Sequence, residues 1–497
     1  MTSNSPLTTR RSLAVSVGAL ASLTSLFYLL ALLGDVRLFV VSVPVLTLLY
    51  CAVFCFLMTI FAVKLLPSSV SHAYAGKLRR LYAMIFVGMA LLLITVVLFS
   101  HVELSAASTA PSTSIDKLKS LGYVSYVPGT EREPKQGVLT HLAEMTEPGL
   151  NIYNSHIRPG AYLLDMGGRI LHAWLPNVPV SIWDFVELCS DGDLLIIFKD
   201  LALLRVDWNS KIEWTKKGRF HHDIDIADND DIYVLSRKEE VLFDSVWPIP
   251  CLNDHIVILG PDGSEKNDIS MFHLLKDELT TGQSIDIYLW LLDPNDWWRR
   301  VMRRGNQASL FLNGTPVDLF HVNTIEIIRR DLNEAFKNGR ILFCSKKLNM
   351  IGVIDIETQR LVWSWGKGEL ANPHHPTLMD NGHVLIFDNG SENRPYSRII
   401  ELDPTTCDIV WNYQATPRES FYCSWGGANQ RFANGNTLIT DSGNGRVFEI
   451  NREGEIVWEF YNPNKQTNGN RETVYRMMRI IDPARAAMVE RKLIAIK

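Results

Sequence analysis

The chain has 497 residues, more than one typical hydrophobic core accommodates, so several units or a repeat architecture must carry it. Its 49 basic residues against 54 acidic ones give a net charge of -5 and a pI near 6.2, which excludes a general nucleic-acid binder needing a basic face. Seven cysteines show neither metal-type spacing nor a disulfide framework, and leave one pair, Cys407 with Cys423, open.

The mean hydropathy of +0.03 averages an apolar first hundred residues with a polar remainder. Three uncharged stretches, Leu13 to Leu33, Leu38 to Val63 and Leu81 to Ser100, each reach the about 20 apolar residues needed to span a bilayer. They predict three transmembrane helices in a membrane domain over 1–102. Arg10 and Arg11 before the first span, and Lys64, Lys77, Arg79 and Arg80 between the second and third, place those flanks in the cytoplasm. An odd number of spans then puts everything after Ser100 outside it. The expectation is a multi-pass protein of a bacterial inner membrane with a periplasmic C-terminal domain.

From 103 to 148 the composition turns to Ser, Thr, Ala, Pro and Gly, the character of a linker. Beyond it, over 149–497, short runs of Val, Ile, Leu, Tyr and Trp alternate with Gly, Asn and Asp turns, which predicts an all-β domain. Two phrases recur there. One is a strand, a polar turn and a strand ending in tryptophan, as in "GVIDIETQRLVW" and "VFEINREGEIVW". The other is a strand, an Asn/Asp-Gly turn and another strand, beginning near Asp184, His222, His321, His375 and Asn429. Trp363, Trp411 and Trp458 are spaced by 48 and 47 residues, close to one four-stranded propeller blade. Five units are plain, and a sixth requires the C-terminal "VYRMMRIID" or strands near Tyr153. A six-bladed β-propeller follows, with the tryptophans as core between blades. One segment between the second and third units, "DELTTGQSIDIYLWLLDPNDWWRRVMRRGNQ", breaks the repeat and reads as a partly helical insertion.

Innermost strands of a propeller converge on a central channel, so equivalent early positions of successive repeats meet in space. Several hold histidine: His221 and His222 in "FHHDIDIADND", His321 in "DLFHVNTIEI", His374 and His375 in "NPHHPTLMDNG". Three repeats with histidine in one register point to a site.

The phrases "HHDI", "FHVN", "WSWGKG", "HHPTLMDNGHVLIFDNG" and "GNGRVFEIN", in that order, resemble the arylsulfotransferase family, over roughly Gly149 to Pro463. The resemblance implies ping-pong transfer of a sulfuryl group from an aryl sulfate donor to a phenolic acceptor through a sulfohistidine, without a nucleotide donor or other cofactor. It casts His375 as the nucleophile, with His222 and His321 completing the catalytic set. Asn323, Lys346 and His374 become substrate contacts, and the family's anion-binding arginine aligns with Lys346 after Ser345, or with Lys347 if the register slips by one. Lysine keeps the charge and loses the planar fork. A neutral imidazole is a competent nucleophile near pH 7, and fixed cations suit the charge on transferring oxygens. Two other readings compete: a non-catalytic propeller binding a ligand or partner at the membrane, and a three-histidine metal site, which the Lys346 charge opposes.

Overall fold

A computed structural model of the chain describes residues 135–155, 160–178, 182–242, 249–279, 317–466 and 469–495. All belong to one of the two compact units into which the chain divides, 123–285 with 316–497. The three expected spans and most of the expected insertion lie outside the described residues, among which no helix is long and apolar enough to cross a membrane.

Six antiparallel sheets succeed one another as propeller blades. Blade two runs from its inner strand Trp183–Leu188 out to Ile212–Lys217, and blade three from Phe220–Ile226 to Glu265–Ser270. Blade four runs from Val322–Ile327 to Arg360–Trp365, blade five from His374–Leu378 to Asp408–Tyr413, and blade six from Ala428–Arg431 to Ile456–Tyr461. Blade one joins both ends of the domain. Its inner strand is the C-terminal Val474–Ile480, paired with Leu150–Ser155, so the two candidates for the sixth unit share one sheet. A helix, Pro483–Ala495, follows and buries Met488 and Val489 against blades one and two.

The ring has a second closure. Gly137–His141 adds a fifth, outermost strand to blade six by pairing with Ile456–Tyr461. This strand falls in the stretch expected as linker. Five half-exposed residues on a sheet edge carry little periodicity, and only the partner strand gives them order.

The core lies between blades. Leu194, Ile196, Trp174 and Trp183 fill the joint of blades one and two, and Leu385, Phe387, Ile439 and Phe448 that of five and six. Outer-strand tryptophans pack there as expected, and they do more. The Trp458 indole N–H donates to Met166 O at 2.9 Å and that of Trp214 to Pro261 O at 3.0 Å, each reaching the outer turn of the next blade.

Around the axis, side chains of one blade bond the inner-strand backbone of the next. Asn154 Nδ2, on the second strand of blade one, donates to Asp184 O (3.0 Å), and Asp184 Oδ2 accepts His222 N–H (3.2 Å). Asp223 Oδ2 accepts Ile325 N–H (3.1 Å), and Thr324 Oγ accepts His375 N–H (3.0 Å). His375 Nδ1 accepts Asn429 N–H (3.2 Å), and Gln430 Oε1 accepts Arg479 N–H (2.8 Å), which returns the circuit to blade one. Gln430 Nε2 also donates to Arg479 O at 3.0 Å. Gln430→Ala strips both bonds from the closing strand and is expected to lower stability by about 1–3 kcal/mol. Denaturant titration of the full chain reads this as a lower midpoint; an unchanged midpoint would mean the ring closes without Gln430.

Candidate active site

Every inner strand but that of blade six enters its sheet through a register irregularity, where the backbone re-aims side chains. His222 and His375 lie within that irregularity and His321 one residue ahead of it, and His222, His321 and His375 all adopt left-handed backbone, with φ of 59°, 48° and 46°. A non-glycine residue in this region is uncommon and clusters at functional sites, so the three segments have a backbone conformation in common.

The second strands supply a matching arc of charge. Lys199 N–H donates to Ile182 O, Arg237 N–H to Arg219 O and Lys346 N–H to His321 O, so blades two, three and four each place a cation just past the last paired residue. Their electrostatic reach defines one site. The charge of Lys199 bears on His222 and Lys346, and that of Lys346 on His321 and His374. Arg237 is engaged by Asp200, Nε to Oδ1 at 2.6 Å, and Lys199 Nζ lies 3.3 Å from Asp184. No carboxylate among the described residues pairs with Lys346.

The two histidines of the "HHP" phrase differ in chemistry. His374 Nδ1 faces the Asn372 carbonyl at 3.0 Å and Asn389 Oδ1 at 2.7 Å. Asn389 donates its own Nδ2 to the carbonyls of Cys423 and Gly426, both at 2.7 Å, so its oxygen is an acceptor. Two acceptors oblige His374 to carry its proton on Nδ1, which leaves the lone pair on Nε2. The phrase "FDNG" serves this geometry: Asn389 holds the ring, and a Cβ on Gly390 (φ 94°) would lie 2.4 Å from Tyr396 O. His375 is the reverse case. Its Nδ1 accepts the Asn429 N–H, so the proton sits on Nε2 and no nucleophilic lone pair faces outward.

Asn323 also takes a different place from the one expected. Its Nδ2 donates to Pro373 O at 2.9 Å, beside the Cys344 thiol at 3.2 Å, and so fixes the peptide before His374 instead of facing an anion. Cys407 and Cys423 are both free thiols, the first exposed and the second buried.

A carboxylate backs His321. Asp318 Oδ2 accepts from His321 Nδ1 at 2.5 Å. His222 and His321 stack edge to face with centroids 4.9 Å apart. His221 and His222 approach Nδ1 to Nδ1 at 2.7 Å. Burial depresses the basicity of His222, His321, His374 and His375. His374 falls to about 3 through burial and then the Lys346 charge, His375 falls well below its usual range through burial and then Arg476, and His222 through burial and then Lys199. His321 is lowered by burial, against which Asp318 pulls upward.

Lys199, Arg237, Asp254 and Asp318 escaped the sequence reading. The two cations left a signal, since "LLIIFK", "IYVLSR" and "ILFCSK" end alike; the carboxylates left none, because a long excursion of blade three brings them in. Its strands Ile232–Leu242 and Ile249–Leu259 have 11 residues each and overrun the inner strand, and Val317–Asp318 pairs in parallel with Cys251 and Leu252.

Two models of the arylsulfotransferase (ASST) family match the chain, over residues 136–373 and 303–463. The chain belongs to the arylsulfotransferase family. Sulfotransferase-type chemistry on an aryl sulfate donor and a phenol acceptor is what that membership supports. No curated protein matches. Among solved structures, a Bacteroides caccae protein of unknown function is 12% identical with a TM-score of 0.42, covering 67% of this chain and 98% of its own. A streptogramin B lyase is 14% identical at 0.38, covering 68% and 87%, and the Staphylococcus aureus virginiamycin B lyase 11% identical at 0.37, covering 68% and 87%. At these levels the likenesses carry nothing over to this chain. Among its described residues no cluster of His, Cys, Asp and Glu has the arrangement to hold a metal ion.

At the far end of the inner strand of blade four, Glu326 Oε2 accepts the Leu378 N–H at 2.9 Å. Burial, with Asp225 and Asp223 adding to it, pushes its carboxyl up to about 8, so the folded protein holds a proton that the unfolded chain releases near the usual 4.5. The stabilisation is fully present below about 4.5 and is lost as pH rises through about 8. Thermal midpoints are therefore expected to fall between pH 5 and pH 9 more steeply for the wild type than for Glu326→Gln. Parallel pH profiles would contradict this.

Proposed function

We propose that the propeller transfers a sulfuryl group from an aryl sulfate ester to a phenol, with His374 as the covalent nucleophile. The observation that carries this is the donation of the His374 Nδ1 proton to Asn372 O and Asn389 Oδ1. It leaves the Nε2 lone pair for sulfur, on a ring kept neutral far into the acid range and close enough to Lys346 to feel its charge.

In the first half-reaction His374 Nε2 attacks sulfur, the S–O bond to the aryl oxygen breaks, and the electron pair leaves on the phenolate. Positive charge arising on the sulfated imidazole is met by the two oxygens at Nδ1–H. Lys346 stabilises the sulfuryl oxygens, and His321, whose charged form Asp318 favours, adds a donor when protonated. His375 contributes a fixed Nε2–H instead of a lone pair. In the second half an acceptor phenol gives up its proton, its oxygen attacks sulfur, and the S–N bond breaks with the pair returning to Nε2. The spans expected from the sequence would hold this centre outside the cytoplasm of a bacterium, where a donor that is itself a sulfate ester needs no nucleotide.

Purified full-length protein with a chromogenic aryl sulfate tests the proposal. His374→Ala is expected to abolish phenolate release, while His375→Ala, which breaks a blade joint, retains a single-turnover burst. A burst that survives in His374→Ala and disappears in a folded His375→Ala would return the nucleophile to His375. Lys346→Ala is expected to lower kcat/KM for the donor about 10²–10³-fold, and unchanged donor kinetics would move the anion site elsewhere.

A further inference from the structure

His221, one residue before the left-handed turn at His222, has no part in the transfer as described, yet it is 1% exposed and touches His222 ring to ring. The two Nδ1 atoms are 2.7 Å apart, so one carries the shared proton. His221 Nε2 lies 3.3 Å from Asp254 Oδ1, whose other oxygen accepts the Val322 N–H at 2.8 Å. This contact is not a formed hydrogen bond, and no other partner meets this buried nitrogen. A carboxylate this near favours a proton on Nε2. His221 Nδ1 is then the acceptor, His222 holds its proton on Nδ1, and the His222 lone pair is on Nε2, the edge turned from His221.

We propose that Asp254, His221 and His222 form a proton relay that serves as acid and base for the two half-reactions, an inference that rests on the transferase reading above. As the acceptor phenol attacks the sulfated His374, its O–H bond breaks and the proton goes to His222 Nε2. The Nδ1 proton of His222 passes to His221 Nδ1, and His221 becomes an imidazolium facing the Asp254 carboxylate. When the next donor reacts, the flow reverses: the departing phenolate takes the Nε2 proton from His222, and His221 returns its proton to His222 Nδ1. No proton is gained or lost over the cycle. His222 stays neutral at both stations, and the positive charge rests on His221 next to a fixed anion.

Lys199, Arg237 and His321 also face His222, and each opposes a charge on its ring. A single-histidine base would have to hold its proton against all three, whereas the relay moves the charge one ring away. His221 and Asp254 are in this sense positioning residues, which act on substrate only through His222. The strand bringing Asp254 belongs to the long hairpin of blade three, whose Leu252 pairs with Asp318, so one strand places the carboxylates beside both His221 and His321.

The test separates the half-reactions in the full-length protein, with His221→Phe and, as a second variant that keeps a polar side chain but passes no proton, His221→Gln. A nitrophenyl sulfate donor needs no proton on its leaving group, so both variants are expected to keep the phenolate burst within about 3-fold of the wild type, which also reports an intact fold. Transfer from the sulfated enzyme to unsubstituted phenol should slow about 100-fold, with the loss shrinking as the acceptor becomes more acidic. An acceptor step that keeps its wild-type rate and its dependence on phenol acidity overturns the relay. Loss of the burst together with the acceptor step in both variants overturns it too, by giving His221 a structural role. Absence of a burst in the wild type fails the transferase reading itself, and the relay with it.

Discussion

The site depends on how each inner strand is tied to the next. A side chain on one strand, whether Asp184, Asp223, Thr324, His375 or Gln430, accepts a backbone N–H of its neighbour, where two edge-on strands with no mutual ladder would otherwise leave buried donors unmet. The requirement puts polar residues at the axis whatever the protein does. It also explains the division of labour between adjacent histidines: His375 is committed through Nδ1 to Asn429, and only His374, held from the side by Asn389, has an unassigned lone pair. Fold and chemistry draw on the same short segment, so the residue in the shared left-handed register need not be the one that reacts.

The blade count, the tryptophan joints and the convergence of three histidine segments were legible in the sequence, because each rests on a pattern that recurs. What recurs only once was not. Gly137–His141 is a strand solely because Ile456–Tyr461 offers an edge, and a composition rich in Ser, Thr, Pro and Gly around it hides the ordering. Roles within "HHP" were illegible for a different reason. Which nitrogen bears a proton is decided by partners at positions 372, 389 and 429, and no local spacing encodes a tautomer. Asn323 follows the same rule, since its amide is drawn to Pro373 by the packing of blade four against blade five.

Neutral imidazoles among cations are a consistent electrostatic design. Burial alone disfavours imidazolium at the centre, and Lys199, Lys346 and Arg476 deepen the effect on His222, His374 and His375. A nucleophile gains from this because its lone pair is not lost to protonation. An acid–base residue does not, since it has to hold a proton for part of the cycle. In the proposed assignment the carboxylates Asp254 and Asp318, beside His221 and His321, stand behind the proton-handling side, and His374 is backed by neutral oxygens. That asymmetry separates the two tasks more firmly than residue type does.

The lysine at position 346 fits the same logic. Arginine at this rim is readily captured by a neighbour, as Arg237 is held in a fork by Asp200, and a captured guanidinium has little left for a ligand. Lys346 has no such partner among the described residues. Burial and the charges of Lys347 and Lys199 lower its proton affinity, while Asp318 partly restores it. On the proposed transferase reading a sulfate ester bound here would supply the missing anion, and by linkage would raise the proton affinity of Lys346 by as much as it prefers the ammonium to the neutral amine. The cationic arc is thus electrostatically incomplete until an anion occupies it, and a compact ammonium with several donor directions can serve both the tetrahedral ester and the flatter group in flight.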